Sequence, residues 1–251
     1  MKATALLSVE LSGDRAVVRE LRSQAPITLV PRRTATAGGR TAVVHLVNSA
    51  ATPLGGDHVD LRVRVGAGAR LRLAGTAATV ALPGRGSSRS TVRIEVDEGG
   101  AVEYLPEASV ISSRADHESE LIVELAAGAR ARCRETLVLG RYGEPSGHLV
   151  ASTHLTRSGV PLLRQRLDLG DARMAASTGY LAGARVLATE TVAWDRDPLD
   201  PASGQWWSLA PLAAGGALAT AVADDAVTAD RRLAEALSHH PDAKDLVLPI
   251  W

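Results

Sequence analysis

Apolar and polar residues alternate with period two over most of the first two-thirds of the chain. The cleanest runs are Leu61-Arg62-Val63-Arg64-Val65 and Ala69-Arg70-Leu71-Arg72-Leu73, separated by Gly66-Ala67-Gly68. Such alternation is the signature of half-buried strands. The arrangement recurs twice. Val92–Val96 leads through Asp97-Glu98-Gly99-Gly100 into Ala101–Leu105, and Leu121–Leu125 leads through Ala126-Ala127-Gly128 into Ala129–Cys133. Glycine supplies the positive φ that tight strand connections need, so each unit reads as a hairpin. With Gly68, Gly100 and Gly128 as markers, the units stand roughly 30 residues apart, the quasi-repeat of similar pieces stacked along an axis. The pattern matches neither a propeller blade nor a nonapeptide calcium solenoid. The expected fold is therefore all-β, with layered or coiled antiparallel sheets of β-solenoid character.

Further strands are predicted at Ala5–Leu11, Arg15–Leu21, Thr41–Asn48, His148–Arg157, Leu162–Leu169 and Ala217–Ala223. Helix signals are few and late: Asp224-Asp225 caps a short helix over Ala226–Leu237, closed by Pro241, and a few short helices are expected near the C-terminus. The loops at Pro83–Ser88 and Asp195–Gly204 carry turn residues but do not read as linkers, so residues 1–251 are expected to form a single domain.

Alternation also says which polar residues point inward. Asp57 shares its parity with Val59, Leu61, Val63 and Val65; Glu135 with Ala129, Ala131, Cys133 and Leu137; Thr79 with Leu71, Leu73, Gly75 and Ala77. A buried, unpaired carboxylate costs several kcal/mol, so these positions demand partners, water or a cation, unless a bulge or strand end returns them to solvent.

Composition narrows the function classes. There are 28 basic and 28 acidic residues, which argues against holding nucleic acid or an anionic membrane by bulk charge. The chain has no Phe and only one cysteine, Cys133, so small aliphatic residues must build the core and no internal disulfide is available. With no apolar run long enough to span a membrane and no secretory leader at the Met-Lys start, a cytoplasmic protein is expected. The arginine bias, with only Lys2 and Lys244 as lysines, reads as codon usage.

Motifs of common catalysis are missing: no G-x-S-x-G, no G-x-x-x-x-G-K-[ST] and no H-E-x-x-H. The histidines lack structural-zinc spacing. His58 with Asp60, and His239-His240 with Asp242 and Asp245, are at most surface pairs, and no tightly bound metal is expected. Trp206 and Trp207 stand together in a late apolar stretch. They read either as core in a chain without Phe or as a partner interface, where aromatic residues are enriched.

The order of these features resembles the urease accessory protein UreD (UreH) family. The resemblance runs through Gly55-Gly56-Asp57, Val65-Gly66-Ala67-Gly68-Ala69, Gly75-Thr76-Ala77-Ala78-Thr79 and Val102-Glu103-Tyr104-Leu105-Pro106-Glu107. It continues through Glu135–Glu144, with its Gly140-Arg141-x-x-Gly143-Glu144, then Pro161–Leu167 and Ala223-Asp224-Asp225. It covers roughly positions 10 to 238. Two positions depart from the family pattern: Val80 stands where a basic residue is usual, and Thr220 where an arginine is usual.

The resemblance implies a non-catalytic scaffold that binds apo-urease and UreF, which recruits the GTPase UreG, and that helps nickel reach the urease active site through a hydrated internal passage. No permanent cofactor is implied, and Ni²⁺ is transient. Oxygen donors suit transit, because imidazole and thiolate would hold Ni²⁺ more firmly. The passage is expected to be lined or gated by Asp57 and Glu135, with Thr76, Thr79 and Glu144 in support, while Arg141 pairs with Glu144 or Glu135. Two other classes compete: a β-rich hydrolase using Asp57 and Glu135 as an acid and base pair, and a structural binding module with no link to nickel.

Overall fold

The computed structural model describes residues 1–32, 41–171, 173, 174, 177–246 and 248. In chain order the strands are β1 (Lys2–Ser12), β2 (Arg15–Arg22), β3 (Ile27–Pro31), β4 (Thr41–Asn48), β5 (His58–Val65), β6 (Arg70–Gly75), β7 (Thr79–Ala81), β8 (Ser88–Val96) and β9 (Ala101–Leu105). They continue as β10 (Ser109–Ile111), β11 (Asp116–Leu125), β12 (Arg130–Leu139), β13 (His148–Arg157), β14 (Val160–Leu169), β15 (Val186–Ala193), β16 (Ala202–Gly204), β17 (Trp207–Pro211) and β18 (Ala217–Ala223), followed by helix α1 (Ala226–Ser238).

These strands form two sheets. The first runs β14-β13-β11-β8-β5-β1-β2, and the second β16-β17-β18-β15-β12-β9-β6-β4-β3. Each sheet is parallel at its centre and antiparallel at its margins. The all-β class and its solenoid character hold. The three expected hairpins do not form. β5, β8 and β11 lie in the first sheet and their successors β6, β9 and β12 in the second, so each glycine turn arches across the core instead of folding a strand back onto its neighbour. Periodicity could not separate the two cases, because both an arch and a hairpin leave alternate side chains facing one interior.

What selects the arch is stacking. Each turn closes on itself, as Ala69 N–H does with Gly66 O (3.0 Å) and Gly100 N–H with Asp97 O (2.9 Å), and also bonds to the next turn: Gly68 N–H donates to Glu98 O (3.0 Å) and Gly99 N–H to Ala127 O (3.2 Å). Gly68, Gly99 and Gly128 have φ of 65°, 64° and 65°, which makes Gly99 and not Gly100 the equivalent position. The coil's third side is short: β7 and β10 pair in parallel, and β12 spans both sides, meeting β9 through Arg130–Cys133 and β10 through Leu137–Leu139.

Between the sheets sits the main core, made of residues such as Leu61, Val63, Leu71, Leu73, Ile94, Val102, Val123 and Ala131. A second core lies on the outer face of the second sheet, where α1 packs Ala229, Leu233, Ala236 and Leu237 against β15, β17 and β18. Asp225 caps this helix by accepting from Thr228 N–H at 2.8 Å. It is a single 13-residue helix among the described residues, where several short ones were expected. Buried along its whole length, β15 lacks the alternation that marks a half-exposed strand.

The same outer face hides charges that alternation assigns to solvent. Glu103 and Glu190 are fully buried. Arg72 and Arg132 bond Glu103, and Arg132 and Arg134 bond Glu190. The C-terminal segment crosses above them, with Leu248 accepting from Arg72 (2.9 Å) and donating to Glu103 (3.2 Å). His240 and Asp242 belong to this cover and are buried, not a surface pair; Asp242 takes the Arg196 backbone N–H at 2.7 Å.

Candidate functional site: a polar cavity between the sheets

The interior changes character from one end to the other. Near the arches the inward positions of β8 and β11 are Val92, Ile94, Val96, Leu121, Val123 and Leu125. At the opposite end they are Ser88, Ser90, His117 and Ser119. Register places His117 beside Ser88 and Ser119 beside Ser90, so the polar residues pair across β8 and β11, with Val59, Leu149 and Ala151 on the flanking strands. Facing them from the second sheet are Tyr104, at the end of β9, and Glu135, on β12.

A cavity of about 150 Å³ lies at this polar end, lined by Asn48, Thr79, Ser90, Tyr104, Glu107, His117, Ser119, Glu120 and Glu135, with Leu61, Val92 and Leu137 among its apolar walls. A space of that size with several polar partners suits ordered water.

Glu135 is half-buried where it meets the cavity, and its carboxylate accepts a hydrogen bond from the Thr153 hydroxyl on β13. Burial pushes its carboxyl above the ordinary value, and the Thr153 bond opposes the rise. Burial likewise raises the Tyr104 phenol and the Cys133 thiol, with Glu135 adding to both. His117 is lowered to about 4 by burial, so it stands neutral at physiological pH, with Nδ1 bonded to Ser88 Oγ at 2.8 Å. The Ser119 hydroxyl is buried and has no partner among the described residues. At the cavity's rim Thr79 accepts from Asn48 Nδ2 at 2.6 Å.

The structure brings Thr79 and Glu135 to one cavity and leaves the other sequence candidates elsewhere. Asp57 is buried in the turn before β5, but its carboxylate is taken by the Met1 amino group and by Leu54 N–H at 2.9 Å. Burial would raise its carboxyl; those two bonds outweigh it and hold the carboxyl below the ordinary value. Asp57 does not line the cavity, so an acid and base pair with Glu135 has no shared space to act in. Thr76 is exposed and reaches Leu46 O only at 3.4 Å.

Arg141 and Glu144 clamp the turn after β12, with Nε to Oε1 at 2.7 Å and Nη2 to Oε2 at 3.1 Å. The Arg141 hydrogen bond drops the Glu144 carboxyl to about 2. Glu144 borders a separate cavity of about 230 Å³ with Tyr180 and Arg185. Trp207 is buried in the second core and stacks on His239 at 5.1 Å, whereas Trp206 is 44% exposed in the β16–β17 turn. Val80 sits in β7 opposite Val110, and Thr220 on β18 pairs with Thr189.

Sequence reasoning missed Ser90, His117, Ser119 and Tyr104 as neighbours of Glu135. The signal was present for three of them: Ser90 and His117-x-Ser119 keep the parity of the aliphatics that follow on their strands, the same test that singled out Glu135. Small hydroxyls simply violate it less loudly than a carboxylate.

The family model described as UreD urease accessory protein matches residues 1–241. A protein of Saccharopolyspora erythraea named "Urease accessory protein UreD 1" is 71% identical over the full length of both chains. "Urease accessory protein UreD" of Parafrankia sp. is 41% identical over 93% of this chain and 86% of that protein, and its namesake from Streptomyces avermitilis is 38% identical over 87% and 88%. By both the family match and these identities, this chain belongs to the UreD family of urease accessory proteins.

Proposed function

We propose that this chain is a non-catalytic scaffold of urease maturation in the cytoplasm, binding apo-urease and UreF and passing Ni²⁺ received from UreG through the hydrated space between its sheets. The observation that carries the reading is the polar cavity around Glu135. It offers oxygen donors in number and no thiol among its described lining residues, a donor set that lets a divalent cation keep much of its water, and its imidazole, on His117, is engaged by Ser88 through Nδ1. Glu135 is the one inward carboxylate there whose proton is poised by burial, and a partly hydrated cation near it would favour the ionised form. Asp57, Thr76 and Glu144 lie off this cavity, so the proposal rests on Glu135 and Thr79, and the clamped pair Arg141–Glu144 is assigned to holding its turn.

The test is urease activation in cells carrying the cognate urease subunits and other accessory proteins, with this chain as wild type or Glu135→Gln. The variant is expected to lower urease activity and urease nickel content about tenfold while co-purifying with urease and UreF as wild type does. Equal nickel loading by both proteins would remove the passage; loss of co-purification would assign Glu135 to the fold.

A further inference from the structure

Among the described residues no element packs on the outer face of the first sheet, although parallel sheets are ordinarily covered on both faces. Its strands run nearly in register, so outward residues line up in rows across it. One row contains Arg164 on β14, His154, Ile122, Arg93, Arg62, Leu6 and finally Arg22 on β2; each is the direct cross-strand partner of the next. It spans all seven strands, roughly 29 Å at the usual inter-strand spacing, and contains no carboxylate.

The rows on either side do contain them: Glu120 and Asp60 on one side, Glu124, Glu95 and Glu20 on the other. Elsewhere on this face arginines find acids, as Arg89 does with Glu118 and Arg64 with Asp97 at 3.2 Å. Arg62 and Arg93 are exposed, stand directly abreast, and have no ion pair or hydrogen-bonding side-chain partner among the described residues; the same holds for Arg164. Like charges set opposite each other destabilise a sheet, so the fold gains nothing from this pair. Over Arg62, Arg93 and Leu6 lies an open depression of about 520 Å³, bounded on the neighbouring row by Arg64, Glu95 and Glu20.

The geometry points to a docking row for an acidic segment of a partner protein, laid across the strands with its carboxylates on Arg62, Arg93 and Arg164 and its apolar residues on Leu6 and Ile122. Charge complementarity selects this occupant. A single basic row edged by carboxylates accepts one line of acids and repels a wider anion, so a nucleic acid or an anionic membrane would meet Glu95, Glu120 and Glu124 as well. The two apolar positions between arginines favour a polypeptide, which can place apolar side chains among its acids, over a uniform polyanion. Guanidinium forks also hold carboxylates bidentately.

This inference goes beyond nickel passage and is tested on the isolated protein, so failure of the passage leaves it standing, and the reverse. The probe is a labelled peptide of repeated Glu-Glu-Leu triplets, followed by fluorescence anisotropy at low and high salt. Wild type is expected to bind it and to release it as salt rises. Arg62→Glu with Arg93→Glu should weaken binding at least tenfold, while Arg89→Gln, off the row, should not, and all three proteins should share one thermal midpoint to within a few degrees. Absence of binding to wild type, equal affinity in the double variant, or tighter binding of inorganic polyphosphate than of the peptide would each overturn the assignment.

Discussion

Asp57 and Glu135 share an inward parity but carry opposite electrostatics, and pH separates them. The Asp57 carboxyl is held below its ordinary value, so it adds stability that is present above the unfolded carboxylate pKa and is lost as pH falls through the folded one. The Glu135 carboxyl is held above its ordinary value; the unfolded chain releases that proton first, and stability drains away as pH rises from the ordinary carboxylate range. Asp57→Asn is therefore expected to cost about 1–3 kcal/mol at pH 7 and progressively less towards pH 3. Glu135→Gln, which keeps an oxygen for Thr153, should be neutral near pH 4 and increasingly more stable than wild type towards pH 8. Urea midpoints across that range check both signs, and parallel pH curves for the two variants would contradict them. Parity in the sequence revealed that both side chains point inward. It could not reveal their partners, because the groups that neutralise Asp57 come from positions 1 and 54, and the hydroxyl that meets Glu135 comes from the opposite sheet.

The element that defines this fold is the glycine arch. Residue types and spacing located all three turns, though as hairpins and with Gly100 marked in place of Gly99, because glycine at a positive φ and alternation on both flanks are local properties. Whether the flanking strands pair with each other or with the next coil is decided by contacts about 30 residues away, such as Asp97 N–H to Val65 O at 2.8 Å and Ala126 N–H to Val96 O at 2.9 Å, and local pattern carries no trace of them. The tandem Gly99-Gly100 tests the arch directly. At Gly99 a Cβ would meet nothing within 4 Å, so Gly99→Ala pays only for the left-handed backbone, about 1–2 kcal/mol. At Gly100 a Cβ would stand 2.9 Å from Asp97 O and from Val96 Cγ1, and 3.1 Å from Gly66 O of the preceding arch. Gly100→Ala should therefore cost more, about 2–4 kcal/mol, by forcing stacked turns apart. Thermal unfolding ranks the two; a larger loss at Gly99 would mean that conformation, not stacking, governs the turn.

Across the whole molecule, burial and charge are distributed by layer. The second sheet carries buried ion pairs beneath α1 and the C-terminal segment, the first sheet leaves a charged face open, and the space between them grades from aliphatic rungs at the arches to hydroxyl and carboxylate rungs at the far end. A solenoid interior needs no such gradient for stability. Ser90 and Ser119 occupy one rung where valine would continue the aliphatic ladder of Val92 and Leu121, and Ser119 leaves its hydroxyl without a partner among the described residues. Hydroxyls kept at the cost of packing accord with the proposed passage, since functional sites commonly carry local instability. Replacing both serines by valine should fill part of the cavity and leave stability unchanged or raise it by about 1 kcal/mol, read from the urea midpoint. The same protein should activate urease several-fold less well than wild type while still assembling with its partners. If activation survives a filled cavity, the polar rungs serve the fold alone, and the space between the sheets plays no part in urease maturation.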